Sequence, residues 1–174
     1  MNPDEWLPDP AVRTGHRRES SARAAELWDA AGSVKLRDCR LLGRLVRARI
    51  PSLRSDLSFR DLFHERPFLV LDEGETYSLS GLCGRIWSVR GEFARLDSPQ
   101  EFLDWSERGT VRVLFAHYTE PTPRGSAIVS EVRVVPTDRL AGLRLRAMGP
   151  FISAFQGLVG VEGLAAAVRA SRRA

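Results

Sequence analysis

Lysine is almost missing from this chain: Lys35 stands alone among 26 basic residues, and the others are all arginine. That bias belongs to GC-rich coding rather than to chemistry. Cysteine is scarce too. Cys39 and Cys83 lie far apart beside apolar residues, with no Cys-x-x-Cys pair and no Cys/His cluster. This excludes a disulfide framework and reads both thiols as reduced and structural. His16, His64 and His117 are too scattered for a metal centre, and no cofactor is expected. There is no Gly-x-Ser-x-Gly elbow, no His-Glu-x-x-His, no phosphate loop and no dinucleotide fingerprint. The segment Met1–Trp6 lacks the basic start and apolar core of a signal peptide, so a cytoplasmic protein is expected. The apolar run from Met148 to Val168 is broken by Gln156 and Glu162, short of the roughly 20 apolar residues of a membrane span.

What is present suits one domain. The chain has 174 residues, 43% of them hydrophobic, enough to bury a core without disulfides. Net charge is a modest +4, and the arginines are spread out, with local density over 37–54 and a tail at Arg169, Arg172 and Arg173. A nucleic-acid protein gathers its arginines on one element beside stacking aromatics, so nucleic acid is not expected as a partner.

Three prolines mark residues 1–10 as an N-terminal arm, and 11–174 as the domain. Val12–Glu19 reads as a strand. Ser20 or Ser21 can cap a helix whose Ala24, Leu27, Trp28 and Ala31 share a face, with Gly32 ending it. Leu41–Arg49 reads as a second amphipathic helix stopped by Pro51. Asp56–Phe63 is a turn or short helix. Phe68–Asp72, Glu75–Leu82 and Arg85–Leu96 read as strands, with tight turns at Gly74 and Gly81–Gly84. In the third, Trp87, Val89 and Phe93 alternate with Ser88, Arg90 and Glu92. Ser98-Pro99-Gln100-Glu101 is a capped helix start whose helix should end at Gly109. Thr110–Thr119 and Ser126–Val135 form a hairpin. Its inward face carries Val111, Val113, Phe115 and His117 on one strand and Ile128, Ser130, Val132 and Val134 on the other. From Thr137 the chain is helical, with one apolar row at Leu140, Leu143, Ala147 and Phe151 and another at Met148, Ile152, Phe155 and Val159. Pro150 should kink or restart it. This order predicts an α+β fold: a curved antiparallel sheet wrapped around a long C-terminal helix, with two short helices after the first strand and a cavity between sheet and helix.

Three stretches carry a family likeness. They are Glu19–Gly32 (ESSARAAELWDAAG), the strand opening Gly84-Arg85-Ile86-Trp87, and Ser130–Asp138 (SEVRVVPTD) leading from last strand to closing helix. Together they resemble the START-related helix-grip superfamily often called SRPBCC, which includes lipid-transfer START domains, birch-pollen allergen relatives and bacterial polyketide cyclases. The likeness covers roughly residues 11–170. It implies binding of a small hydrophobic or amphipathic ligand between sheet and C-terminal helix. A cyclase/aromatase-like enzyme using His117 or Tyr77, or a ligand-free interaction module, stays open beside it.

The residues expected to meet a ligand are Tyr77, Arg85, Trp87, Phe115, His117, Ser130, Phe151 and Phe155. His117 is either an acid/base or donor inside the pocket or a core histidine bonded to backbone. Tyr77 and Trp87 are expected to point inward, each with a large apolar body and one polar tip. Arg85 shares a face with Trp87 and would sit over it at the cavity mouth. Glu131 and Arg133 point to one common side, either as a head-group clamp or as a structural pair. Gly157, Gly160 and Gly163 give close helix–sheet approach or room for a ligand.

Overall fold

A computed structural model of the chain describes residues 2–50, 54, 56–88 and 91–171. The chain opens with a helical turn, α1 (Pro3–Trp6), and enters the sheet as β1 (Val12–Ser20). Two short helices follow, α2 (Ala24–Ser33) and α3 (Arg40–Arg49), joined by a 3-10 turn at Leu36–Asp38. Then come α4 (Phe59–Leu62), β2 (Leu69–Gly74), β3 (Tyr77–Arg85), β4 (Glu92–Phe93) and α5 (Pro99–Asp104). The hairpin β5 (Val111–Thr122) and β6 (Gly125–Pro136) leads into α6 (Arg139–Leu158), a π-helical stretch Val159–Leu164, and α7 (Ala165–Ser171).

The strands form one six-stranded antiparallel sheet in the order β1-β6-β5-β3-β2, with β4 on β3. Strand alternation sorts its side chains. Phe115 lies opposite Ser80 and Val132, and His117 opposite Ser78 and Ser130, so these residues share one face. The α6–α7 helix packs along this face on β1 and β6. Asp138 caps its start by accepting the Ala141 amide at 2.8 Å. Near the far end Gly160 backs onto His16, where even a Cβ would come within 2.6 Å of the imidazole. The Gly160 carbonyl accepts from Arg18 Nε at 3.0 Å. This is the helix-grip arrangement expected from the sequence. Pro150 lies inside α6 without ending it.

The other face of the sheet is covered as well. Leu71, Leu79, Cys83, Leu114 and Ala116 bury against Leu7 from the N-terminal arm and Phe102 from α5. Glu131 and Arg133 project here, away from the cavity. Arg133 is 3% exposed in its side chain and bonds both Glu131 and Asp4 of α1, while Arg13 holds Glu131 from outside at 3.0 Å. They are a structural pair, and they fasten the N-terminal arm rather than a head group.

Several boundaries differ from expectation. Gly81–Gly84 is no turn: β3 runs through it, and Gly81 is needed because a Cβ would strike the Phe102 ring at 2.6 Å. The strand expected over Arg85–Leu96 shrinks to β4, with Trp87 and Ser88 in the preceding turn. Val89, Arg90 and Pro51 lie outside the described residues. Glu26 rather than a serine caps α2, accepting the Arg23 amide at 3.1 Å, and α2 passes Gly32 to end at Ser33. Ser98 caps α5 by accepting the Glu101 amide as expected, but Trp105 rather than Gly109 ends that helix.

Arg133→Met should remove the buried partner of Glu131, leaving that carboxylate to Arg13 alone, and release Asp4. A loss of about 3 kcal/mol in denaturant unfolding is expected, with faster proteolysis of the first ten residues.

Candidate functional site

Between sheet and helices lies a cavity of about 390 Å³. α3 lends Leu45 and Val46, with Ile50 just past its end, and Leu62 of α4 contributes together with Phe63 after it. Leu82 and Phe115 rise from the sheet, with Ile86 and Phe93 closing one end. α6 presents Met148, Ile152 and Phe155 at helical spacing, with Phe151 and Leu158 beside them. Among the described residues every lining side chain is apolar. Phe63, Phe68 and Phe115 form the aromatic end, their ring centroids 5.0–5.5 Å apart. At the lip Phe151 is 71% exposed and Leu45 42%.

Phe115, Phe151 and Phe155 thus line the cavity, as the sequence suggested. His117 stands behind it. Its ring packs against Phe59 and Phe63 with centroids 4.7 Å away, and neither ring nitrogen has a hydrogen-bond partner in the protein. Burial pushes its pKa down to about 3, so the imidazole is neutral at physiological pH. It is a core histidine, but without the expected backbone bond. Ser130, directly across on β6, is also fully buried and unpartnered.

Sequence reasoning missed the company these two keep. Thr14, Ser80 and Thr119 on the same sheet face, and Gln156 of α6, also bury polar side-chain atoms without a partner. Strand parity, once the register is known, gives the first three. Gln156 was visible only as a break in an apolar run, and it is 1% exposed.

The remaining expected residues are not brought together. Tyr77 falls on the opposite face, paired with Tyr118, its hydroxyl donating to Asp72 at 3.2 Å. The residues facing the cavity on β3 are the even-numbered ones, such as Ser80 and Leu82. β3 ends at Arg85, so Arg85 and Trp87 do not share a strand face, and Arg85 pairs with Glu92 at 2.9 Å. The guanidinium near Trp87 is that of Arg144, 5.7 Å from the ring centroid. Trp87 packs against the buried cluster that includes Leu82, Val113 and Leu145, and does not line the cavity. No cluster of three His, Cys, Asp or Glu capable of holding a metal occurs among the described residues. Cys39 and Cys83 are free and buried, and burial raises their pKa values to about 11 and about 12, so neither is a reactive thiol.

Because His117 stays neutral when folded but protonates near pH 6.5 when unfolded, the unfolded chain binds the extra proton between those values. Stability should therefore fall as pH drops from 6.5 toward 3, by up to about 1.4 kcal/mol per unit from this group. His117→Leu should flatten that part of the pH–stability curve in urea titrations, and an unchanged slope would contradict the assignment.

No family model matches the chain, and no curated protein does. Among solved structures it is similar to protein MLL2253 from Mesorhizobium loti, at 14% identity over 85% of this chain and 96% of that one, with a TM-score of 0.33. It is similar to TTHA0849 from Thermus thermophilus, at 13% identity over 93% and 98%, with a TM-score of 0.35. It is also similar to Ara h 8.0201, at 12% identity over 88% and 98%, with a TM-score of 0.29. Superpositions this loose carry no argument about ligand or activity. The helix-grip assignment rests on the strand order and on the packing of α6.

Proposed function

We propose that this protein binds a small, largely apolar molecule in the cavity between the sheet and α6. The observation that carries the reading is the cavity itself: about 390 Å³ with an apolar wall, within the size range of small-molecule sites. A ligand giving up about 200 Å² of apolar surface would gain about 5 kcal/mol before the cost of lost freedom on association. Phe63 lines the cavity and packs on His117, so among the described residues the wall itself offers an occupant no polar contact.

The cyclase/aromatase-like alternative requires at least two polar groups within reach of one substrate position. The cavity wall offers none among the described residues, and His117 lies behind aromatic rings. A ligand-free interaction module would have a filled interior, whereas this one retains a void. Sequestration of a ligand therefore fits the wall chemistry best.

Native mass spectrometry of freshly purified protein, set against its denatured mass, tests the reading, together with titration of a fluorescent apolar probe. Saturable one-to-one binding is expected. Leu82→Trp, which puts an indole into the void from its floor, should weaken the probe by about tenfold or more, about 1.4 kcal/mol, without lowering Tm. A bare polypeptide mass with no saturable probe binding would overturn the proposal.

A further inference from the structure

The mouth of the cavity lies in an unusual patch of surface. On α3, Leu42 and Val46 face the core, while Leu41 and Leu45 project from one flank at 49% and 42% exposure. The other flank carries Arg40, Arg44 and Arg47, all exposed and none in an ion pair among the described residues. The nearby acids Asp38 and Glu162 form no ion pair with them among the described residues. Asp38 lies 4.0 Å from Arg37, and Glu162 accepts the Leu41 and Leu42 amides at 3.0 Å, capping the start of α3. The leucine flank borders the cavity, since Leu45 lines it, and Phe151 of α6 belongs to the same lip.

α6 continues the apolar surface. Leu140 is 54% exposed, Leu143 61% and Phe151 71%, with Val161 of the π-helical stretch at 62%. The whole helix, Arg139–Ser171, is long and apolar enough to cross a membrane by length and composition. Here it is the closing helix of the sheet, yet well under half of its most apolar stretch is buried. Large exposed side chains beside arginines without an ion pair among the described residues, on helices that already pack a core, mark an interface rather than stray surface leucines.

We infer that this α3–α6 face docks on an anionic lipid surface, with Leu41, Leu45 and Phe151 entering the headgroup layer and Arg40, Arg44 and Arg47 meeting the phosphates. A layer of apolar chains beneath anionic phosphates matches both strata of the face at once: projecting apolar tips, and flanking charge of one sign. It also places the cavity mouth against lipid, so an apolar occupant passes between bilayer and cavity without crossing water. The docking surface stands on exposed residues and needs nothing in the cavity; only this transfer step rests on the ligand-binding reading.

Co-sedimentation with vesicles containing about one-third phosphatidylglycerol, compared with pure phosphatidylcholine vesicles, tests it at low salt and near 0.5 M salt, where exposed charge is screened over a few ångströms. Binding is expected to the anionic vesicles at low salt and to fall steeply in high salt. At about fivefold per arginine, the combined Arg40→Gln, Arg44→Gln and Arg47→Gln substitutions should weaken it about 100-fold. Leu41→Gln, outside the cavity lining, should weaken it further, with Tm unchanged in each case. No binding to anionic vesicles at low salt, equal binding to neutral ones, or wild-type binding by the arginine variant would overturn the inference. So would a stable dimer by light scattering that is broken by Leu41→Gln, because a second copy would then cover the face. Apolar-probe titration in vesicle-free solution reports on the cavity alone, so either reading can fail without the other.

Discussion

The pairing of β5 with β6 is the constraint from which the site follows. The two strands match in unbroken register from Val111 opposite Pro136 to Thr122 opposite Gly125. Because side chains alternate, that register sends Phe115, His117, Ser130 and Val132 toward α6, and Glu131, Arg133, Leu114 and Ala116 to the other side. A slip of β6 by one residue would exchange its two faces. The cavity would gain a carboxylate and a guanidinium, and the N-terminal arm would lose its anchor.

Closing the sheet with one long helix then leaves room for the cavity. α6 is held at its start by the Asp138 cap, and the helical run is held near its end by contact of Gly160 with His16 and by the bond from Arg18. α3 is anchored near that same end through Glu162, and among the described residues no side chain fills the space bounded by α3, α6 and the sheet. The void persists because its wall is apolar, so water gains few hydrogen bonds inside, and because the elements around it are fixed by contacts elsewhere. At one end the ring of Phe63 stands between the cavity and His117, one of several buried, unpartnered polar side chains on this sheet face. Neutral His117 with its unpartnered nitrogens is the sharpest instance, since leaving buried polar groups unpaired carries a cost that apolar replacements would avoid.

The fold was legible in the residues to a considerable depth. Alternation in Thr110–Tyr118 and Ser126–Val135, helical spacing after Thr137, and the cap at Ser98 each act over a few neighbouring residues, so local sequence carries them. Phe115, Phe151 and Phe155 were legible as cavity residues for the same reason, because each sits on a strongly periodic face. Tyr77 and Trp87 were not. Their placement depended on where β3 begins and ends, and the glycines at 81 and 84, which read as a turn, instead make way for neighbours that sequence does not reveal.

By itself, then, the sequence determined the elements, their order, the inward face of the last hairpin and the scarcity of reactive groups, all consequences of periodicity and composition. Only the tertiary structure decided that the outer sheet face is covered by the N-terminal arm, that Arg133 and Glu131 serve that arm, and that His117 is screened by Phe59 and Phe63. It also decided that the apolar flanks of α3 and α6 come together around one cavity mouth. These depend on contacts between residues tens of positions apart or more, whose geometry is fixed by packing and leaves no periodic trace in the chain.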